Sequence, residues 1–158
     1  MQIERENGPL VVLDVRCRGP VERIDAAVRA AASLTHALAT RSGCELLFPG
    51  ERRPVRIAPD LMTWGGVHVR LALLEGGPDA PPPWLSGRSR NGIVFYVAAQ
   101  REQLPAQLIR GAHAGAVLVL PTDVAPPVRS SPRLEVSGCT GYLLRTGSRL
   151  RPPRERAA

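Results

Sequence analysis

The residues best able to do chemistry follow a short apolar stretch, Leu10–Leu13, and are Asp14, Arg16, Cys17 and Arg18. A lone carboxylate can act as a nucleophile or a metal ligand, and arginines bind carboxylates or phosphates. The thiol of Cys17, flanked by two arginines, is a candidate for oxidation. In open α/β sheets the ligand crevice lies beyond the carboxyl ends of the strands, so a site is expected in this loop.

The surrounding residues argue against the familiar enzymes that use such an aspartate. A haloacid-dehalogenase-type phosphatase needs a second aspartate where this chain has Arg16, and it also needs a lysine. All 21 basic residues are arginine, which excludes a P-loop lysine, a pyridoxal Schiff base and a kinase strand lysine. A phosphate-receiving aspartate would need an acidic pair and magnesium. We therefore expect no enzyme and no cofactor.

Two elements must position this loop, a buried strand before it and one long helix after it. Proline at 20 suits a first helical turn, and Gly43 suits the end of a helix. Apolar residues and one threonine recur between them at helical spacing. They are Ile24, Ala27, Val28, Ala31, Leu34, Thr35 and Leu38.

The rest of the chain continues this alternation of strands and helices. The predicted elements are a hairpin of Cys44–Phe48 and Val55–Ala58, a helix around Val67 to Leu74, a mobile stretch from Asp79 to Arg90, a buried strand Gly92–Val97, a helix around Glu102 to His113, a buried strand Gly115–Leu120, a proline-rich linker Pro121–Pro132, and a hairpin of Leu134–Val136 and Tyr142–Leu144. Parallel strands need right-handed helical crossovers. This order therefore predicts an α/β three-layer sandwich with a mostly parallel central sheet.

A chain of 158 residues suits one domain with a sizeable core. We expect residues 1–9 to be a linker or the end of a preceding region, 10–147 the domain, and 148–158 a disordered basic tail. The apolar runs are far shorter than the ~20 residues of a membrane span. Three cysteines without a C-x-x-C spacing are typical of reduced thiols, which predicts a cytoplasmic protein without a zinc site.

The net charge of +7 leaves two classes of partner open. An arginine-rich α/β domain could bind nucleic acid, but the arginines are scattered and no aromatic residues are interleaved with them for base stacking. A basic surface that docks an acidic protein fits the same charge, and we favour it. The two interpretations differ in how steeply binding should depend on salt.

The loop at Asp14 resembles the metal-ion-dependent adhesion site of von Willebrand factor A-like domains. That site uses an Asp-x-Ser-x-Ser loop, a threonine from a second loop and an aspartate from a third, because magnesium demands oxygen ligands. Here Asp14 matches the first aspartate and Thr63 the threonine, while Arg16 and Arg18 replace the serines. The third loop, Ala98–Gln100, has no carboxylate. The resemblance therefore implies an adhesion-site architecture that has lost its metal, with these loops binding a partner.

Three segments also resemble a bacterial family catalogued as domain of unknown function fifty-eight. They are Gln2–Asp14, Ala26–Leu38 and Gly65–Glu75. The family carries a von Willebrand A-like domain in its C-terminal half, after membrane helices, and often accompanies MoxR-type AAA+ ATPases. The resemblance implies an adaptor or assembly factor without catalysis, either shortened or the C-terminal part of a longer membrane-tethered protein.

Overall fold

A computed structural model describes residues 8–85, 92–101, 115–128 and 130–144. One sheet of seven strands runs through this part of the chain, and two helices pack on it. In chain order the elements are β1 (Leu10–Asp14), α1 (Val21–Ser42), β2 (Cys44–Leu47), β3 (Val55–Ile57), α2 (Trp64–Ala72), β4 (Val94–Ala98), β5 (Ala116–Pro121), β6 (Ser131–Val136) and β7 (Cys139–Leu144).

The sheet is mixed, with strand order β3-β2-β1-β4-β5-β7-β6. The four central strands, β2, β1, β4 and β5, run parallel. Strand β3 at one edge pairs antiparallel with β2, and near the other edge β7 pairs antiparallel with β5. The predicted α/β class is confirmed, whereas the predicted mostly parallel sheet is corrected to a mixed one. Both predicted hairpins are present, and the sheet is mixed because the C-terminal one also joins it through antiparallel pairing of β7 with β5.

Strand β1 lies in the middle of the sheet, between β2 and β4. All five of its residues are buried. Val11 and Leu13 face the helices, while Leu10 and Val12 belong to a second apolar cluster on the opposite face. A strand buried on both faces reads as a continuous apolar run, which is what the sequence shows here.

Both described helices pack on the same face of the sheet. On the opposite face the described residues that pack against the buried cluster are Leu85, Val124 and Leu144. The predicted helix from Glu102 to His113 lies outside the described residues, so the three-layer arrangement is not established. None of the described helices has the length and apolar character needed to cross a membrane.

Helix α1 begins and ends almost where the sequence predicts. Pro20 occupies the N-cap position, and Gly43 ends the helix with φ 86° and donates its N–H to the Ala39 carbonyl at 2.9 Å. Helix α2 begins at Trp64, three residues before its predicted start. Its buried residues are Val67 and Leu71.

The proline-rich regions are more ordered than predicted wherever they are described. Gly50 N–H bonds the Pro82 carbonyl at 2.9 Å, and Trp84 N–H bonds the Glu51 carbonyl at 3.0 Å, which ties residues 80–85 to the turn after β2. The C-terminal hairpin is longer than predicted and takes its first residues from the predicted linker. The predicted basic tail and residues 1–7 lie outside the described part of the chain.

Candidate functional site

Asp14, Arg16 and Tyr96 form a hydrogen-bonded cluster at the carboxyl end of β1, which we call the Asp14 cluster. Asp14 is 1% exposed. Its Oδ1 accepts from Arg16 Nε at 3.0 Å and from the Arg16 backbone N–H at 3.1 Å. Its Oδ2 accepts from Arg16 Nη2 at 2.6 Å and from the Tyr96 hydroxyl at 2.7 Å. Each carboxylate oxygen therefore receives two hydrogen bonds from this chain.

The register of two parallel strands brings Tyr96 to Asp14. Strand β1 pairs with β4 so that Val12 lies opposite Tyr96 and Asp14 lies opposite Ala98. Side chains alternate along a strand, so Tyr96, Val12 and Asp14 share one face of the sheet. Tyr96 lies opposite Val12, two residues before Asp14, and its hydroxyl donates a hydrogen bond to the Asp14 carboxylate.

Arg16 reaches Asp14 because the chain turns immediately after β1. An aspartate side chain commonly accepts the backbone N–H two residues further on, and this bond starts the turn. The turn brings the guanidinium back over the carboxylate in the bidentate geometry that suits arginine. Arg16 remains 21% exposed, so solvent reaches part of the ion pair.

The electrostatics of the cluster keep Arg16 charged and Tyr96 neutral. The hydrogen bond to Asp14 raises the pKa of Arg16 above its usual value. Burial raises the pKa of Tyr96 far above its usual range, and the negative charge of Asp14 raises it further. Tyr96 therefore acts as a neutral donor, and the carboxylate has one cationic and one neutral partner.

The residues of this site do not fit the metal ion of the adhesion site that the loop resembles. Magnesium needs a near-octahedral set of oxygen ligands. Both Asp14 oxygens are already hydrogen-bonded, and a cation there would have to displace a guanidinium of like charge. Within residues 8–85, 92–101, 115–128 and 130–144, no three His, Cys, Asp or Glu residues are grouped as a metal site.

Arg18 lies on the exposed side of the same loop, and Gln100 holds the loop in place. The Arg18 N–H donates to Gln100 Oε1 at 2.9 Å, and the Ala99 N–H donates to the Asp14 carbonyl at 3.2 Å. Gln100 thus stands in the third loop, where the resemblance expects a carboxylate. Its amide oxygen binds backbone and leaves the Arg18 side chain exposed.

Thr63 is not part of this site, which corrects the sequence prediction. Trp64, the next residue, packs edge-on against His36 in the last two turns of α1, with ring centroids 5.3 Å apart. That end of α1 leads into the start of β2, at the amino-terminal edge of the parallel strands. Asp14 lies at the carboxyl end of β1, so the two residues lie at opposite ends of the parallel strands. Thr63 sits at the N-cap position of α2, and its side chain makes no capping hydrogen bond.

The segment that does approach the Asp14 loop follows α2. Cys17 N–H bonds the Gly77 carbonyl at 3.2 Å, and Gly77 N–H bonds the Val15 carbonyl at 3.0 Å. A Cβ on Gly76 would lie 2.7 Å from the Val15 carbonyl oxygen, so only glycine fits this approach. In the sequence, Gly76 and Gly77 are typical of the end of a helix, and their approach to the Asp14 loop depends on tertiary contacts.

Cys17, which the sequence presents as a candidate for oxidation, has a structural role, and so do two histidines. Cys17 is 2% exposed, and its Sγ accepts the Gly19 N–H at 3.3 Å, so the thiol is not open to solvent. His36 and His68 both contact the ring of Trp64, and the His68 ring is stacked on it with the centroids 5.5 Å apart. These contacts join α1 to α2.

Tyr96 is the residue of the cluster that sequence reasoning missed. In the sequence it follows Phe95 inside an apolar strand, where burial is the expected role of an aromatic side chain. Its spacing from the end of β4 matches that of Val12 from the end of β1, and a register argument could have placed its hydroxyl near Asp14.

An open cleft of about 440 Å³ lies beside this loop, between the start of α1 and the segment after β5. Its lining includes Pro20, Glu22, Arg23 and Asp123. Arg23 Nε and Asp123 Oδ2 are 3.2 Å apart, so these two charges satisfy each other across it.

Comparison with known proteins adds no relative. No family model matches the chain, and no curated protein or solved structure shows a significant match to it.

Proposed function

We propose that this chain is a non-catalytic protein–protein interaction module with a degenerate metal-ion-dependent adhesion site. The observation that carries the proposal is that both carboxylate oxygens of Asp14 are fully hydrogen-bonded by Arg16 and Tyr96. A carboxylate in this state has no oxygen left for a metal ion. The guanidinium of Arg16 supplies the positive charge beside the carboxylate instead.

The central position of β1 and the joining of its loop to the β4 loop support a docking surface at this edge. Arg18 is exposed, and Arg16 is partly exposed. Guanidinium groups bind carboxylates with two parallel hydrogen bonds, so an acidic side chain of a partner suits this surface. The net charge of +7 would also speed the approach of an acidic protein.

The resemblance to the family of unknown function supplies the choice of partner. We propose a MoxR-type AAA+ ATPase, with this chain acting as an adaptor or assembly factor in the cytoplasm or at the cytoplasmic face of a membrane. This choice rests on the resemblance, whereas the acidic character of the partner rests on the arginine loop.

The proposal is tested by charge reversal at Arg18. Reversal of Arg16 would leave the buried Asp14 without its cation, so Arg18→Glu is the variant that separates binding from folding. Binding of a purified MoxR-type ATPase should weaken about tenfold or more by calorimetry. Arg53→Glu changes the charge equally at an exposed position in the turn between β2 and β3 and should bind as the wild type does. Equal binding by both variants would contradict the proposed surface.

A further inference from the structure

The sheet has two open edges among the described residues. Strand β3 forms one edge with three residues, and β6 forms the other with six. Pro132, Arg133 and Glu135 of β6 are exposed, so this edge lies in contact with solvent. An edge strand presents unpaired N–H and C=O groups with which an extended segment of another chain can pair. Whether β6 can accept such a segment depends on which of its backbone groups face outward.

The hydrogen bonds across the sheet determine which backbone groups of β6 face its neighbour β7. The Thr122 N–H donates to the Gly138 carbonyl at 3.0 Å, so Gly138 faces the side of β5. The N–H and C=O groups of successive residues in a strand point to opposite sides, so Cys139, the next residue, faces β6. Its partner Val136 therefore faces β7.

The same alternation along β7 assigns the rest of β6. Residues of β7 at odd positions face β6, and those at even positions face β5. The pairing then places the backbone groups of Ser131 and Leu134 toward β7, and those of Pro132 and Glu135 toward the open edge. Arg133 lies at the register shift between Pro132 and Leu134, where it is the extra residue of a β-bulge.

Two features of β6 prevent regular pairing at its open edge. Pro132 occupies an outward position and has no N–H to donate. The extra residue Arg133 separates the two outward positions by three residues, whereas a regular partner strand presents its groups at every second residue. Glu135 is therefore the outward residue of β6 that offers an N–H. The exposed charges of Arg133 and Glu135 would also lose water in a paired strand.

A proline also lies at an outward position beside β3. The Glu45 N–H donates to the Pro9 carbonyl at 3.0 Å, so Glu45 faces β1 and its partner Arg56 faces the open edge. The preceding outward position is immediately before β3, and it is Pro54. The two edges of the sheet therefore share this feature.

We propose that Pro132, together with the bulge at Arg133, prevents a second copy of this chain from pairing edge to edge with β6, and that Pro54 has the same role at β3. Strand β6 needs the stronger protection because it is the longer of the two. The inference does not depend on the partner proposed above. It implies that such a partner binds without adding a strand to the sheet.

Amide hydrogen exchange of the unmodified chain tests the orientation of β6. The Glu135 amide should exchange about tenfold faster or more than the amides of Leu134 and Val136, which face β7. These rates should not depend on protein concentration. Slow exchange at Glu135, at any concentration, would overturn the proposal because this N–H would then already be paired.

A second test reopens the edge. Pro132→Thr combined with deletion of Arg133 supplies the missing N–H and removes the bulge. In sedimentation at rising concentration, this variant should double its mass relative to the wild type, and exchange of the Glu135 amide should slow about tenfold or more. A folded variant that keeps the mass of the wild type, with Glu135 still exchanging fast, would overturn the proposal.

Three single variants separate the proline, the bulge and the charge. Pro126→Thr removes an exposed proline outside the strands, and Arg133→Ala removes the charge but keeps the extra residue. Both should sediment as the wild type does, and self-association of Arg133→Ala would assign the protection to the charge and overturn the role of the bulge. Pro132→Thr alone keeps the length of the chain, so it tests the proline if the deletion disturbs folding. It should associate more weakly than the double variant, and the absence of any association would overturn the role of the proline.

Discussion

Arg16 decides the chemistry of Asp14. A buried aspartate at the carboxyl end of a central strand could in principle hold a metal ion. Here Oδ1 accepts two hydrogen bonds from Arg16, and Oδ2 accepts one from Arg16 and one from Tyr96. A partly buried, bidentate arginine–carboxylate pair is stronger than an exposed one, because water screens it less. The pair therefore fixes the loop and presents a cation at its surface.

The metal prediction follows from this saturation. Saturating Mg²⁺ or Mn²⁺ should leave the melting temperature of the wild type unchanged. An ion present at a free concentration 100 times its Kd would stabilise the fold by about 2.7 kcal/mol, which raises the melting temperature by roughly 5–10 °C. Thermal unfolding with and without the ion makes the measurement. A rise of that size that disappears in Asp14→Asn would show that the site still binds metal.

Tyr96→Phe tests the neutral donor of the cluster. The variant removes one hydrogen bond from a buried carboxylate and should lower the free energy of unfolding by about 1–3 kcal/mol near neutral pH. Equilibrium unfolding in urea gives this difference. Phenylalanine keeps the ring in the apolar cluster, so the loss reports the hydroxyl.

The same variant should change the dependence of stability on alkaline pH. Because the pKa of Tyr96 is raised in the folded state, its contribution is complete below the unfolded value of about 10 and is lost as pH rises above it. The wild type should lose up to about 1.4 kcal/mol per pH unit there from this group. Tyr96→Phe lacks that loss, so the gap between the two proteins should narrow above pH ~10. A gap that stays constant would contradict the buried phenol.

At the scale of elements, the direction of α2 determines which loops meet. The short antiparallel strand β3 returns the chain to the amino-terminal edge of the sheet, and α2 then runs back toward the carboxyl edge. Thr63 at the start of α2 is thereby separated from Asp14, while Gly76 and Gly77 after α2 reach the Asp14 loop. Close approach of these backbones depends on Gly76.

Gly76→Ala should therefore destabilise the fold, by about 1–3 kcal/mol. Its Cβ would lie 2.7 Å from both the Val15 carbonyl oxygen and Ile24 Cγ2, so backbone must shift. Gly65→Ala is the matched control, because a Cβ there meets nothing within 4 Å and alanine should add up to about 1 kcal/mol to the helix. Unfolding in denaturant compares the two. Equal effects would mean that the close approach carries no cost.

Helix α1 contains a polar group that its packing does not satisfy. Thr35 is fully buried, and its Oγ1 has no hydrogen-bond partner among the described residues. Valine has the same shape without the hydroxyl, so Thr35→Val should raise the free energy of unfolding by about 1 kcal/mol. Thr40→Val is the control, since the Thr40 hydroxyl bonds the His36 carbonyl at 2.8 Å on the exposed side. Loss of stability in Thr35→Val would contradict the unsatisfied hydroxyl.

At the scale of the whole molecule, the net charge bears on the kind of partner that we propose. The net charge of +7 is spread over scattered arginines. A nucleic acid and an acidic protein both complement that charge, and they differ in how steeply their binding should depend on salt.

Binding to nucleic acid is expected to be weak. We expect no retention on heparin at physiological salt and little affinity for duplex or single-stranded DNA in a titration monitored by anisotropy. Contact with many phosphates would instead produce tight binding that falls by about 10³-fold or more between 50 and 200 mM salt. That result would favour the nucleic-acid interpretation of the arginines and contradict the protein-partner proposal.

The sequence alone determined the elements whose signals are local. Helix α1 was predicted between Pro20 and Gly43, and the central strands from their continuous apolar runs, because burial patterns repeat with the period of each element. The sequence also located Asp14 and Arg16 at a loop after a buried strand. Because Asp14 and Arg16 are only two positions apart, their ion pair can be predicted from the local sequence.

Only the tertiary structure decided what depends on contacts between distant segments. The antiparallel pairing of β7 with β5 set the strand order, and the register of β1 on β4 brought Tyr96 to Asp14. The return of the chain through β3 placed Thr63 at the amino-terminal end of the parallel strands, away from Asp14. A burial pattern reports how deeply a residue lies and on which face. It carries no information on which end of the sheet a helix starts from, because that depends on the pairing of strands far apart in the chain.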